Sequence, residues 1–134
     1  MILLYQRIST NEQDFQEQNV KLSRYRSSQK GEQFIVIREI RCSFFQLDTS
    51  KLYRFLNSAE KCRSIDQLVI TRIDRLTRSL GEGLILWRLL KRRRITLVVL
   101  NIPNWKSLSD LEQLLLFVSI LQVKEVQYLK GTKG

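Results

Sequence analysis

Short apolar runs alternate with longer amphipathic stretches along this chain, and that alternation admits few folds. Ile2–Ile8, Phe34–Ile40, residues 65–73 and residues 95–102 are rich in aliphatic and branched residues and predict four strands. Between them, residues 11 to about 28 and 80 to about 90 have helical character, and a short helix carries Leu52, Phe55 and Leu56. Ser9, Thr10 or Asn11 is expected to cap the first helix, Asp48 or Thr49 the short one, and Ser107 or Ser109 a last helix reaching about Leu129. Gly31 ends the first helical region, Pro103 bounds the fourth strand, and residues 41–48 are expected to form a loop exposing Phe44 and Phe45. Strands that alternate with helices predict an α/β, three-layer domain with a central, mainly parallel sheet of four to five strands and helices on both faces.

Helix by helix, the apolar residues show what each would bury. The first helix has only Phe15, Val20, Leu22 and Tyr25 and is expected to be largely solvated. The helix at residues 80–90 would turn Leu84, Trp87 and Leu90 inward. The last helix, with Leu111, Leu114, Leu115, Leu116, Phe117, Val118, Ile120, Leu121 and Val123, has more apolar residues than one buried stripe accommodates. In so small a domain that surplus predicts a self-association surface.

The 134 residues fit one domain, divided here into a core at 1–106, the long helix at 107–130 and a tail at 131–134. The formal net charge is +10, with the run Lys91, Arg92, Arg93 and Arg94 contributing, and it favours a polyanionic partner such as nucleic acid over a domain that is merely basic. That run by itself fits a solvated helix end favourable to the dipole. Histidine is absent, which removes imidazole catalysis, Cys/His zinc sites and a Ser-His-Asp triad. Cys42 and Cys62 lack metal-ligand spacing and are expected to be buried or free thiols in a reducing compartment. No signal-peptide layout or membrane-length apolar run is present, so a cytoplasmic location is expected, with no membrane partner.

Functional groups in such a sheet collect at the carboxyl ends of the strands. Tyr5-Gln6-Arg7-Ile8-Ser9-Thr10 ends the first strand, and Asp74-Arg75-Leu76-Thr77-Arg78 follows the third. A hydroxyl among arginines suits attack on a phosphodiester, because guanidinium groups hold the phosphate and its developing charge. Other roles compete: Ser9 as a helix cap, Asp74 as the cap of the next helix, Arg75 and Arg78 as surface ion pairs on one face of a first helical turn, and Gln18 as a solvated helix residue. A nucleotide-binding module would call for a Gly-rich turn after the first strand, and a receiver domain for an acidic cluster there; neither is present.

Together these residues resemble the catalytic domain of the serine recombinases, the resolvase/invertase family, over nearly the whole chain. Tyr5, Arg7, Ser9 and Thr10 match the family's Tyr-x-Arg-x-Ser-Thr; Gln13, Phe15, Gln18 and Leu22 fall at its spacing from the serine; Asp74-Arg75-Leu76-Thr77-Arg78 stands for its Asp-Arg-Leu-Gly-Arg. The resemblance implies that Ser9 attacks DNA to leave a 5′-phosphoserine link and a free 3′-hydroxyl, rejoining the strands later without ATP, metal or cofactor. It implies that Arg7, Arg75 and Arg78 grip the phosphate, with Arg72 beside them, and that Asp74 orients an arginine or moves a proton. Tyr5, Gln18, Ser43, Lys51 and Glu125 are supporting candidates. The long last helix would form dimers, and tetramers when two DNA sites are paired, which points to a nucleoid-associated protein of DNA recombination, integration or transposition.

The chain also departs from the family pattern. Glu39 and Ser43 stand nearest to its Asp-x-x-Ser-Gly with one residue too many between them, Phe44 takes the glycine's place, Thr49 the place of an arginine with Lys51 the nearest cation, and Thr77 replaces glycine. On the last helix Glu125 is followed by Val126 where the family has Glu-Arg. An assembly domain that binds DNA without cutting it is therefore the alternative. No helix-turn-helix is expected in the sequence, so DNA would be held through its phosphates with little sequence preference.

Overall fold

The computed structural model describes residues 1–8, 11–40 and 47–132. Among these, β1 (Ile2–Ile8), β2 (Phe34–Ile40), β3 (Gln67–Ile70) and β4 (Thr96–Val99) form one four-stranded sheet in the order β2-β1-β3-β4. Every pairing is parallel: Ile2 lies beside both Phe34 and Gln67, and Gln67 beside Thr96. The helices are α1 (Glu12–Ser28), α2 (Lys51–Leu56), α3 (Ala59–Cys62), α4 (Leu80–Arg92) and α5 (Asp110–Thr132).

Alternation along the strands divides the interior in two. Ile2, Leu4, Val69 and Val98 pack with Leu22 of α1. Leu3, Tyr5, Leu68, Ile70 and Leu97 point the other way, into a larger core with α2, α4 and α5. β1 is buried on both faces from Ile2 to Arg7, which is why its sequence from Ile2 to Tyr5 is a continuous apolar run rather than an alternating one.

β3 and β4 are shorter than their apolar runs suggest. Residues 65–73 yield only Gln67–Ile70, because Ile65 and Ile73 are buried from the turns that flank the strand. At β4 the chain enters through Arg94 in a left-handed conformation (φ 58°), with the Ile95 N–H donating to the Leu90 carbonyl, and β4 ends at Val99. α2 is capped by Ser50, whose hydroxyl accepts from the Tyr53 N–H, since residues 47–49 are taken up by a 3-10 turn. α1 is capped by Asn11, which accepts from the Gln13 and Asp14 N–H groups. Ser109 and Glu112 cap α5 reciprocally, and the Ser109 hydrogen bonds hold the Glu112 carboxyl below its usual range. Cys62 is a buried free thiol whose titration burial raises; Cys42, Phe44 and Phe45 lie outside the described residues.

Two helices bury different residues from those expected. α1 is not simply solvated: Asp14, Gln18 and Leu22, spaced four apart, form its inner stripe, while Val20 is exposed. On α4 the inner face is Gly83, Leu86, Trp87, Leu89 and Leu90, and Leu84 points outward, since the three- and four-residue steps start from Gly83. Of the basic run, Arg93 is structural: its Nε donates to the Leu56 carbonyl (2.9 Å) and its Nη2 to that of Asn57 (3.1 Å), which fastens the end of α2 to the end of α4.

α5 lies across α4 and the turn after β3. Phe117 and Leu121 are fully buried, Phe117 meets Trp87 with ring centroids 5.0 Å apart, and Gln113 donates to the Trp105 carbonyl (2.8 Å). Its outer side exposes Leu111, Leu115, Val123, Val126 and Leu129. The helix is thus not uniformly apolar but has one stripe in the core and a second facing out. Its end lies beyond Leu129, at Thr132.

Gly83 sets how closely α4 and α5 approach. A Cβ there would collide with Leu121 and come within 3.3 Å of Phe117, whereas at Gly81 the nearest atom is the Ser79 hydroxyl at 3.9 Å. We predict that Gly83→Val lowers stability by about 2 kcal/mol through overpacking. Gly81→Ala should raise it by up to about 1 kcal/mol through helix propensity. Urea unfolding checks both, and equal effects at the two sites would contradict this packing.

Candidate active site

The carboxyl ends of β1 and β3 are neighbours because their strands are. β1 delivers Arg7, which is 8% exposed, and β3 leads through Thr71 and Arg72 into a 3-10 turn at Ile73–Arg75. Ile73 and Leu76 anchor that turn in the core, leaving Arg72, Asp74 and Arg75 to face the end of β1. The two segments then join directly, as the Arg7 Nη2 donates to the Asp74 carbonyl oxygen at 2.9 Å across 67 positions of sequence.

The arginines experience one another. Burial first, then the charges of Arg78 and Arg75, pull the Arg7 guanidinium down to about 10, with Tyr5 and Asp74 opposing the shift. It therefore stays cationic at neutral pH but in an unfavourable environment that an anion would relieve. The carboxylates nearby are Asp74, whose Oδ1 lies 3.3 Å from the Arg72 Nε, and Asp14 of α1, whose Oδ1 accepts from the Arg75 Nε at 2.9 Å and lies 2.8 Å from its Nη2. Arg72 Nη2 reaches the same Asp14 oxygen at 3.4 Å. Gln18 Nε2 donates both to Asp14 Oδ2 (3.0 Å) and to the Arg7 carbonyl (2.9 Å).

Of the residues singled out in the sequence, Arg7, Arg72, Asp74 and Arg75 are brought together, and Arg78 is exposed nearby in the bend ahead of α4. Arg75 and Arg78 do not share the first turn of a helix: α4 begins at Leu80 and is capped by Ser79, not by Asp74. Tyr5 is buried beneath Arg7 on the same strand. Gln18 is 2% exposed, so it is no solvated helix residue. Ser9, Thr10 and Ser43 lie outside the described residues; the segment with Ser9 is bounded by Ile8 at the end of β1 and by Asn11, the cap of α1.

The remaining candidates are not joined to the cluster among the described residues. Lys51 is exposed in the first turn of α2, and Glu125 is half-buried on α5; among the described residues neither makes a hydrogen bond or ion pair with an arginine of the cluster. Glu39, paired with Arg7 in the β1–β2 register, accepts from the Leu52 N–H (2.9 Å) and the Ser50 hydroxyl (3.3 Å), so it holds the start of α2. Thr77, in the family's glycine position, donates to Glu82 (3.2 Å) and accepts from the Ser79 N–H (3.2 Å), organising the start of α4. Asp14 was not evident from the sequence. The signal that could have found it is the four-residue step from Leu22 through Gln18 to Asp14, a polar continuation of an apolar stripe.

Known proteins carry the same fold. The structure resembles the N-terminal catalytic domain of TP901-1 integrase, with 21% identity over 96% of both chains and a TM-score of 0.59. It resembles a resolvase family site-specific recombinase from Streptococcus pneumoniae, with 12% identity over 98% of this chain and 94% of that one and a TM-score of 0.59. It also resembles the C-terminal catalytic domain of ISC1926 TnpA, an IS607-like serine recombinase, with 28% identity over 74% of this chain and 69% of that one and a TM-score of 0.53. No curated protein matches the sequence. The family model for the resolvase N-terminal domain matches residues 2–127, and with this sheet order and these two motifs on one edge, the chain belongs to the resolvase family.

Proposed function

We propose that this domain cleaves and rejoins DNA as a serine recombinase, with Ser9 as nucleophile. The observation that carries the reading is the hydrogen bond from Arg7 to the Asp74 carbonyl, which assembles arginines from both motifs beside the segment that holds Ser9. The Ser9 Oγ would attack phosphorus, forming an Oγ–P bond as the P–O3′ bond breaks; the serine proton leaves and the departing 3′-oxygen ends as a hydroxyl. Arg7, Arg75 and Arg78 would stabilise the charge on the non-bridging oxygens, and Asp74 would orient Arg72. The phosphoserine conserves the energy of the bond that was broken, so attack by a 3′-hydroxyl reverses it.

A non-cutting assembly domain is the second reading. It is favoured by Thr49, exposed where the family places an arginine, and by Lys51, which among the described residues makes no hydrogen bond or ion pair with the arginine cluster. Both readings use DNA phosphates as the ligand and the outer stripe of α5 as the contact between copies. Leu115 and Val126, both exposed, would lie near the centre of that contact. No helix among the described residues is long and apolar enough to cross a membrane.

Four outcomes test these statements. Supercoiled DNA carrying candidate sites, incubated with the protein and quenched in denaturant, should yield a slow-migrating covalent band that Ser9→Ala abolishes; an undiminished band from that variant would remove Ser9 as nucleophile. Arg75→Ala should reduce the rate of adduct formation by about 10²-fold or more, the scale for loss of one preorganised charge donor, while circular dichroism stays unchanged. DNA binding and assembly without any band would move the assignment to the non-cutting reading. Leu115→Glu combined with Val126→Glu should shift the sedimentation profile towards monomer, and an unchanged profile would exclude this stripe as the contact.

A further inference from the structure

The carboxylate of Asp14 is the least expected group in the molecule. It is 7% exposed, in the inner stripe of a largely polar helix, and a buried carboxylate is tolerated only when it is paired. Its partners are two arginines from the turn after β3 and the amide of Gln18, while that same amide also holds the Arg7 carbonyl. Asp14 thus links α1, which follows the Ser9 segment, to Arg72 and Arg75 beyond the end of β3.

The way Arg75 is held matters for what remains of it. Its Nε and Nη2 both point at one Asp14 oxygen, so one edge of the planar guanidinium is fixed. The Nη1 is buried and has no hydrogen-bond partner among the described residues. A buried cationic donor without an acceptor is costly, and a phosphate oxygen is the kind of acceptor that would complete it. Charge balance points the same way. Arg7, Arg72, Arg75 and Arg78 outnumber Asp14 and Asp74, so the cluster keeps a cationic excess although Asp14 offsets part of it.

We propose that Asp14 is a positioning residue for phosphate capture: it fixes the plane of Arg75, holds Arg72 beside it, and lowers the cluster's affinity for DNA in exchange for order. This rests on the reading that the arginine cluster receives a DNA phosphate. A carboxylate that merely staples α1 to the sheet would instead affect stability alone, and removing it would not strengthen DNA binding.

The test uses the full chain, labelled with nitrogen-15, and a short duplex of arbitrary sequence as probe. In the free wild-type protein the Arg75 Nε–Hε proton should exchange slowly with solvent. Asp14→Asn should speed that exchange at least tenfold, and Asp14→Glu should restore much of the protection. With the backbone amide spectrum retained, Asp14→Asn should bind the duplex several-fold more tightly at low salt, with a plot of log affinity against log salt steeper by up to about 0.9, as expected for one more phosphate neutralised. Unchanged Hε exchange, or weaker DNA binding by a folded Asp14→Asn, would overturn the proposal. Arg75→Ala separates the two readings. If it leaves DNA affinity unchanged, the cluster does not receive phosphate and the functional reading fails, whatever Asp14 does to the Hε exchange. If it weakens binding while Asp14→Asn does not strengthen it, only the role of Asp14 fails. Should Asp14→Asn not fold, Asp14→Ser is read by the same criteria.

Discussion

Everything at the functional edge depends on β1 being an interior strand. With β2 on one side and β3 on the other it is buried on both faces, and its carboxyl end lies between β2 and the turn that follows β3. An arginine at the end of such a strand cannot reach bulk water easily. Arg7 therefore takes a backbone carbonyl, that of Asp74, as its partner, and this one bond fixes the relation between segments that are remote in sequence. Parallel pairing makes the arrangement general, because strands that run the same way end on the same edge.

Cations gathered at that edge repel one another, and the fold offsets the repulsion only in part. Asp74 serves Arg72 with its side chain and Arg7 with its carbonyl, and Asp14 serves Arg72 and Arg75. What is left is a preorganised positive site that a phosphate would complete. Such preorganisation is favourable for catalysis, since the donors need not reorganise as charge develops in the transition state. It also makes the edge unstable in isolation, which explains why the turn that carries Arg72 and Arg75 is anchored by two fully buried residues, Ile73 and Leu76.

α5 serves two purposes with one helix. Its inner stripe closes the larger core over Trp87, and the absence of a side chain at Gly83 lets it approach α4 closely. Its outer stripe is apolar and exposed. Because the same helix also packs on the turn after β3, a partner seated on the outer stripe would be mechanically close to the arginine cluster.

The elements were largely legible in the sequence. Apolar runs located all four strands, and hydrophobic spacing located every helix but the four-residue α3, because burial of whole apolar side chains is local information repeated many times along the chain. The motifs Tyr5-Gln6-Arg7 and Asp74-Arg75 could be placed at strand ends for the same reason. Boundaries were less legible: Ile65 and Ile73 read as strand residues because a buried turn residue is as apolar as a buried strand residue, and Ser50 was passed over as a cap because a 3-10 turn intervenes. Asp14 was the larger omission, and the burial of Gln18, itself a candidate, was equally hidden. Hydrophobic periodicity is blind to a polar residue that is buried, and only the tertiary structure decides that a carboxylate on α1 meets guanidinium groups 58 and 61 residues away. The sequence by itself determined the kind of sheet and the residue types available at its edge; which charges neutralise which was decided by packing, since an ion pair between distant segments leaves no pattern in either one.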